Sequence, residues 1–266
     1  AAMNQMQTPD LVTCDVTDGV ATLALGGGVA HALSLAMITG LHQMLDDLAT
    51  EDVVRVVVIT GPGHIFCAGH DLKEIARHRA DADQGRAYLT ELFEACAAMM
   101  TTLATFPKPT IAMVDGIATA AGLQLVASCD LAFASPRATA CLPGVTNGGF
   151  CTTPAVAVSR NVGPKHLMEL TLTGTPMTAD WALAAGLFNR IFPAGTLEAE
   201  TRSFATTLAT RNPGPISTGK AALQAHRDLP LHEAYALATP VMIEHFMDPG
   251  RLATEAAKAT AKTFKA

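Results

Sequence analysis

Leu11 to Asp15 and Val20 to Leu25 alternate apolar and polar positions with period two on either side of Thr17-Asp18-Gly19, the pattern of two strands joined by a tight turn. The period then changes. Ser34 precedes apolar residues at Leu35, Ile38, Leu41, Leu45 and Leu48, the spacing of an amphipathic helix with a serine N-cap. Val53 to Thr60 reads VVRVVVIT, too continuously β-branched for a half-solvated strand. It predicts a strand buried on both faces and ended by Gly61-Pro62-Gly63. A second helix is predicted over Gln84 to Leu103, closed before Pro107 and Pro109. Thr110 to Val114 and Leu131 to Ala134 read as strands, with a short helix over Ala120 to Ser128 between them. Strand and helix in alternation imply a parallel α/β core.

Beyond Pro164 the pattern is helical, apart from a short apolar stretch at Asn189 to Phe192. Helices are expected at Thr178 to Ala185, Leu197 to Thr210, Ile216 to His226, Leu231 to Phe246 and Arg251 to Phe264, separated by glycine and proline. The expected organisation is an α/β body over residues 10–195 followed by a helical region over 196–266, with no internal repeat.

Composition narrows the class. Of 266 residues 49% are hydrophobic and 16% charged, against a usual share of about 25% charged. The chain is too apolar for disorder, yet lacks an unbroken apolar run near 18 residues, so no membrane span is expected. A net charge of -6 argues against nucleic acid as a partner. The shortage of charge suggests surface hidden against copies of the same chain. Cys14, Cys67, Cys96, Cys129, Cys141 and Cys151 form no CxxC pair, and Ala1 to Pro9 is polar and unpatterned, with no secretory apolar segment. Reduced thiols in a cytoplasmic protein, with a frayed N-terminal end, are the expectation. No His, Cys, Asp or Glu spacing suggests a metal.

Two segments put glycine and alanine at strand-to-helix corners: Phe66-Cys67-Ala68-Gly69-His70-Asp71-Leu72-Lys73-Glu74, and Gly116-Ile117-Ala118-Thr119-Ala120-Ala121-Gly122-Leu123-Gln124. Such corners expose backbone N–H groups that no helix has yet used, and small side chains let a ligand carbonyl approach them. Two donors converging on one oxygen would stabilise an enolate or tetrahedral oxyanion by about 3 kcal/mol each. The same small residues would equally serve close packing of helix on sheet.

VVVITGPGHIFCAGHDLKEI, then KPTIAMVDGIATAAGLQLVASCDLAFAS, then MTADWALAAGLFNRIFP together resemble the crotonase, or enoyl-CoA hydratase/isomerase, superfamily, and the resemblance runs from Leu11 to Phe264. It implies an α/β fold, a crotonase-like spiral of ββα turns, with a helical C-terminal trimerisation region forming a homotrimer or a dimer of trimers. It also implies an acyl-CoA thioester as substrate, with coenzyme A present only as part of that substrate and no tightly bound cofactor. The two carbonyl donors fall on the main chain of His70 and Ala121. Ala68 matches a residue beside the adenine and Lys73 one near the nucleotide phosphates, within a coenzyme A segment of Ala68, Gly69, Asp71, Leu72 and Lys73. Gly26 to Ala30 lacks the basic residue usual in relatives, and His31 replaces a common Asn. Phosphate contacts would then lean on Lys73, Arg77 and Lys258, Lys262 or Lys265.

The departures are at the proton-transfer positions. Hydratases of the superfamily use two glutamates, which align with Gln124 and Gly144. An amide can orient a water but cannot take its proton, and glycine has no side chain. Fast hydration is therefore not expected, and PGVTNGGFCTTPAVAVSR resembles a branch of hydratase-like members that also lack both acids. AGHDL resembles decarboxylating relatives too, although these carry tyrosine where this chain has Cys151. The remaining expectations are a non-catalytic acyl-CoA-binding protein or a decarboxylase of malonyl-type thioesters. His70, Asn147 and Cys151 could supply side chains to the pocket, whereas Asp71, Glu74, Asp115 and Asp130 read as capping or anchoring residues.

Overall fold

A computed structural model describes residues 11–263, with the side chains of the last helix as far as Ala259. Residues 1–10, Phe264, Lys265 and the side chain of Lys262 lie outside the described set. The predicted hairpin is β1 (Val12–Thr17) and β2 (Val20–Leu25), paired antiparallel with Thr17 opposite Val20. Asp18 and Gly19 both have positive φ, +53° and +77°, the two-residue turn whose twist matches that of the strands. Helix α1 (Leu35–Thr50) starts as expected, the Ser34 hydroxyl accepting from Met37 N at 3.1 Å.

The rest of this part of the chain is built from three turns of strand, strand and helix. The first is β3 (Val56–Thr60), β4 (Ile65–Cys67), α2 (Leu72–His78) and α3 (Arg86–Ala104); the second β5 (Thr110–Val114), β6 (Ile117–Thr119) and α4 (Ala121–Ser128). The third is β7 (Leu131–Ala134), β8 (Thr139–Cys141), a 3-10 turn Pro143–Asn147 and α5 (Thr152–Val158). After α6 (Pro164–Thr173) come β9 (Met177–Thr178), α7 (Ala179–Ala185), β10 (Arg190–Ile191) and α8 (Leu197–Ala209). Each turn gives its first strand to one sheet, ordered β1-β2-β3-β5-β7-β10, and its second to another, ordered β4-β6-β8-β9. The large sheet is parallel from β2 onward, and this is the implied ββα spiral.

Strand β3 is buried on both faces because its side chains alternate between two cores. Val57 and Ile59 face the core that includes Ile38, Leu41 and Leu45 of α1 and Leu92 and Met99 of α3. Val56 and Val58 share the other core with Phe133 and with Leu197 and Ala205 of α8. Val53 and Val54 precede the strand instead of opening it. The large sheet needs α8 as its second cover, so the first compact unit runs to Ala209 and not only to residue 195.

The second unit begins at Thr210 and consists of α9 (Pro213–His226), α10 (Leu231–Met247) and α11 (Pro249–Thr263). Asn212 caps α9 and donates to Asp248, and Thr218 bonds His245 across α9 and α10 at 2.7 Å. Neither α9 nor α10 has a buried residue; Leu223, Tyr235, Met242 and Ile243 are all more than half exposed. No described helix is long and apolar enough to cross a membrane.

Candidate active site

Strand β4 runs directly into the first corner. Ala68 N donates to Ala30 O at 3.0 Å, Leu33 N to Gly69 O at 2.8 Å, and Asp71 N to Leu33 O at 3.2 Å. In this parallel bridge the residues flanking His70 make the bonds to Leu33, so the N–H of His70 itself faces away and donates to no acceptor among the described residues. Gly69 adopts φ +86°, which favours glycine. Asp71 then caps α2, its Oδ1 accepting from Lys73 N and Glu74 N at 2.9 and 3.2 Å.

The second corner is bent by Ala120, at φ +51° and ψ -122°, backbone territory that is sparse for any residue with a β-carbon. Ala120 N donates to Cys141 O at 2.9 Å, and its carbonyl accepts from Leu123 and Gln124 N at 3.1 Å. Ala121 is the first residue of α4, where a helix has no partner for an N–H. The corners touch: a β-carbon added at Gly69 would lie 3.0 Å from Ala120 Cβ and 3.2 Å from Ala121 N. One added at Gly122 would collide with the Cys67 carbonyl. Glycine at 122 therefore serves packing of α4 on β4, and glycine at 69 keeps open the space beside the N–H of Ala121.

Gln124 follows Ala121 by three residues and so shares its face of α4. It is 5% exposed, and its Oε1 is buried with no hydrogen-bond partner. His70 Nε2 is likewise buried and without a partner. The His70 ring stands edge-on to Phe93 of α3, centroids 5.0 Å apart, and loss of solvent pushes its pKa down to about 4. The imidazole is thus neutral at physiological pH.

Gly144 lies in the 3-10 turn. Gly144 N donates to Cys151 Sγ at 3.2 Å and Gly149 N to Gly144 O at 2.9 Å, folding the loop back over the residue. A β-carbon there would sit 2.6 Å from Cys151 N and 2.7 Å from the Phe150 carbonyl carbon. Position 144 has no room for any side chain, which goes beyond the absence of a glutamate. Burial pushes the Cys151 thiol up, toward the protonated form, so it is not an activated nucleophile. Asn147 is exposed on the same turn.

Leu72 and Lys73 are exposed at the start of α2, and Arg77 on its last turn; Lys258 is exposed on α11 of the second unit. The residues expected to cap or anchor do so. Glu74 accepts from Leu35 N at 3.0 Å, Asp130 from Thr110 N at 2.8 Å, and Asp115 pairs with Arg137 at 2.5 Å. Among the described residues no group of His, Cys, Asp or Glu could hold a metal. Sequence patterning does not point to Phe93, which only the packing of α3 brings to His70. Nor does it reveal the strain at Ala120 or the work of His31. The buried His31 ring has its nitrogens 3.0 Å from Gly26 O and 2.8 Å from Pro62 O, tying the loop before it to the loop before β4.

Comparison with known proteins identifies the family. Residues 15–251 match the family described as enoyl-CoA hydratase/isomerase. The mouse (Mus musculus) protein named enoyl-CoA hydratase domain-containing protein 3, mitochondrial, is 39% identical over 238 residues, covering 89% of this chain and 78% of that protein. The crystal structure of an enoyl-CoA hydratase/isomerase family protein from Silicibacter pomeroyi is 58% identical with a TM-score of 0.85, covering 90% of this chain and all of that one. That of the human enoyl-CoA hydratase domain-containing protein 3 is 34% identical with a TM-score of 0.88, covering 94% of this chain and 96% of that one.

Proposed function

The chain belongs to the enoyl-CoA hydratase/isomerase family, and from that premise we propose that it binds an acyl-CoA thioester and stabilises its enolate between the backbone N–H groups of His70 and Ala121. The observation that carries this reading is the pair of unused donors on touching corners, with glycine at 69 leaving the approach clear. Negative charge growing on the thioester oxygen would meet two fixed dipoles, each contributing about 3 kcal/mol. Coenzyme A enters as part of the substrate, its nucleotide along Ala68, Gly69, Asp71 and Leu72, with the ammonium of Lys73 toward the phosphates and Arg77 as a further cation.

Efficient hydration is not part of this proposal. Gln124 cannot abstract a proton, and position 144 cannot hold a group that would. Each missing proton-transfer group removes on the order of 10²–10⁴ in rate. The same two positions favour a second reading, an acyl-CoA-binding protein without turnover; decarboxylation of a malonyl-type thioester, which needs the two donors and no base, is the catalytic variant. Calorimetry with acetyl-CoA and free CoA tests the binding site, and an absence of heat with both overturns it. Loss of the enoyl absorbance of crotonyl-CoA is expected to be slow, and a rate comparable to that of two-glutamate hydratases would overturn the assignment at 124 and 144. CO2 release from malonyl-CoA separates the decarboxylase from the binder. The described cysteines are all free, as suits any reducing compartment, the expected cytoplasm among them.

A further inference from the structure

We propose that the chain carries a second ligand site, on the outer face of the large sheet, for a free α-amino acid with a branched hydrocarbon side chain. The site shares no residue with the two corners and does not rest on the thioester reading.

Its basis is a cavity of about 280 Å³ between the large sheet and the first two turns of α8. The crevice beyond the carboxyl ends of parallel strands is a usual place for a ligand, and here β3 and β5 end at it. Strand register sets Thr22 beside Val58 and Thr60 beside Met113, so each row of the floor pairs a hydroxyl with hydrocarbon. Val20 and Leu197 add further hydrocarbon. Gly61 to Gly63 form one wall, where the Pro62 carbonyl is fixed 2.8 Å from His31 Nε2. The buried stripe of α8 is Leu197, Thr201 and Ala205. Leu197 and Ala205 pack into the second core; Thr201, between them on that stripe, borders the cavity, and its hydroxyl is buried without a partner. A valine there would fill the same volume without that cost, so the hydroxyl marks a polar occupant.

The charged groups decide what that occupant is. Asp115 borders the cavity but is already paired with Arg137. Glu198 and Arg202 border it from α8, about 6 Å apart along the helix axis, and neither has an ion-pair partner among the described residues. One unanswered carboxylate and one unanswered guanidinium beside an apolar floor match an ammonium, a carboxylate and a hydrocarbon group on one small molecule. A simple anion would gain Arg202 but face Glu198 and Asp115, and a simple amine would leave Arg202 unmet. The volume, just under the range of about 300–1,000 Å³ usual for ligand pockets, is too small to enclose a coenzyme A derivative.

Titration calorimetry on the full chain with leucine, isovalerate and isoamylamine tests this, the last two keeping the hydrocarbon and one charge each. Leucine is expected to bind about tenfold more tightly than either analogue, since each lacks one charge-assisted hydrogen bond. Thr201→Val and Arg202→Gln are each expected to weaken leucine about tenfold while leaving the far-UV circular dichroism unchanged. Arg202 is exposed, so its variant decides the matter if Thr201→Val misfolds. An absence of heat with leucine overturns the proposal, water then being what fills the cavity. Binding of either analogue as tight as that of leucine overturns it as well, because two charges are then not read. Leucine affinity unchanged in either folded variant overturns it too, since binding then lies elsewhere.

Discussion

His70 makes stability depend on pH in a defined direction. Its ring titrates near 4 in the fold and near 6.5 in an unfolded chain, so the unfolded state binds more protons between those values. The stability that this difference supplies is complete above pH 6.5 and is lost as pH falls through 4, a change of roughly 2–3 kcal/mol. Denaturant midpoints measured from pH 7 to 4 should follow that slope, and His70→Gln should flatten it. At position 144 the steric argument gives a second expectation. Gly144→Ala pushes a methyl group against the backbone of Phe150 and Cys151 and should cost about 1–3 kcal/mol, read as a lower Tm. Gln124→Glu alone returns one proton-transfer group and should raise crotonyl-CoA hydration, whereas adding Gly144→Glu should give no further gain. The types of residue at 70, 121, 124 and 144 are legible in the sequence. Their surroundings are not, because the ring of Phe93 and the fold-back of Gly148 to Cys151 are brought in by tertiary packing.

At the scale of elements, long periodic segments are readable and short ones are not. The hairpin, α1, β5 and β7 fall where the pattern puts them, since period and turn chemistry agree there. Strands β4, β6 and β8 have three residues each, too few to display a period, and they constitute most of the smaller sheet. They are held by pairing with each other, information that a linear pattern does not carry. The corner after β6 bears the clearest local cost. Relieving the positive φ of Ala120 removes about 1–3 kcal/mol of strain, against the 0.5–1 kcal/mol that glycine loses in chain entropy. Ala120→Gly should therefore raise stability by about 1 kcal/mol, some 2–4 °C in Tm for a protein of this size, checked by thermal unfolding.

For the whole molecule, the shortage of charge has a partial structural address. Helices α9 and α10 present Leu223, Tyr235, Met242, Ile243 and Phe246 outward. Contiguous exposed apolar patches commonly mark contacts between proteins. We propose that the chain assembles as a homotrimer or dimer of trimers, so light scattering should give three or six times the chain mass; a monomer at micromolar concentration would remove the idea. Of the two corners only the second, Gly116 to Gln124, carries no charged side chain. The division of the chain at Ala209 is not legible, because the helical pattern of α8 does not reveal that it covers a sheet face.

The order of the strands also has a kinetic meaning. Within the large sheet only β1 and β2 are joined by a tight turn; every later pairing waits for a crossover to close a long loop, a slow event relative to hairpin formation. Gly69 and Ala121 come from successive turns of the spiral, some fifty residues apart in the chain, and touch only once both turns are built. The contact between the two corners is therefore a late product of folding. In a refolding experiment, recovery of acyl-CoA binding should lag behind the return of helical signal, and the lag measures how long the second turn takes to settle on the first.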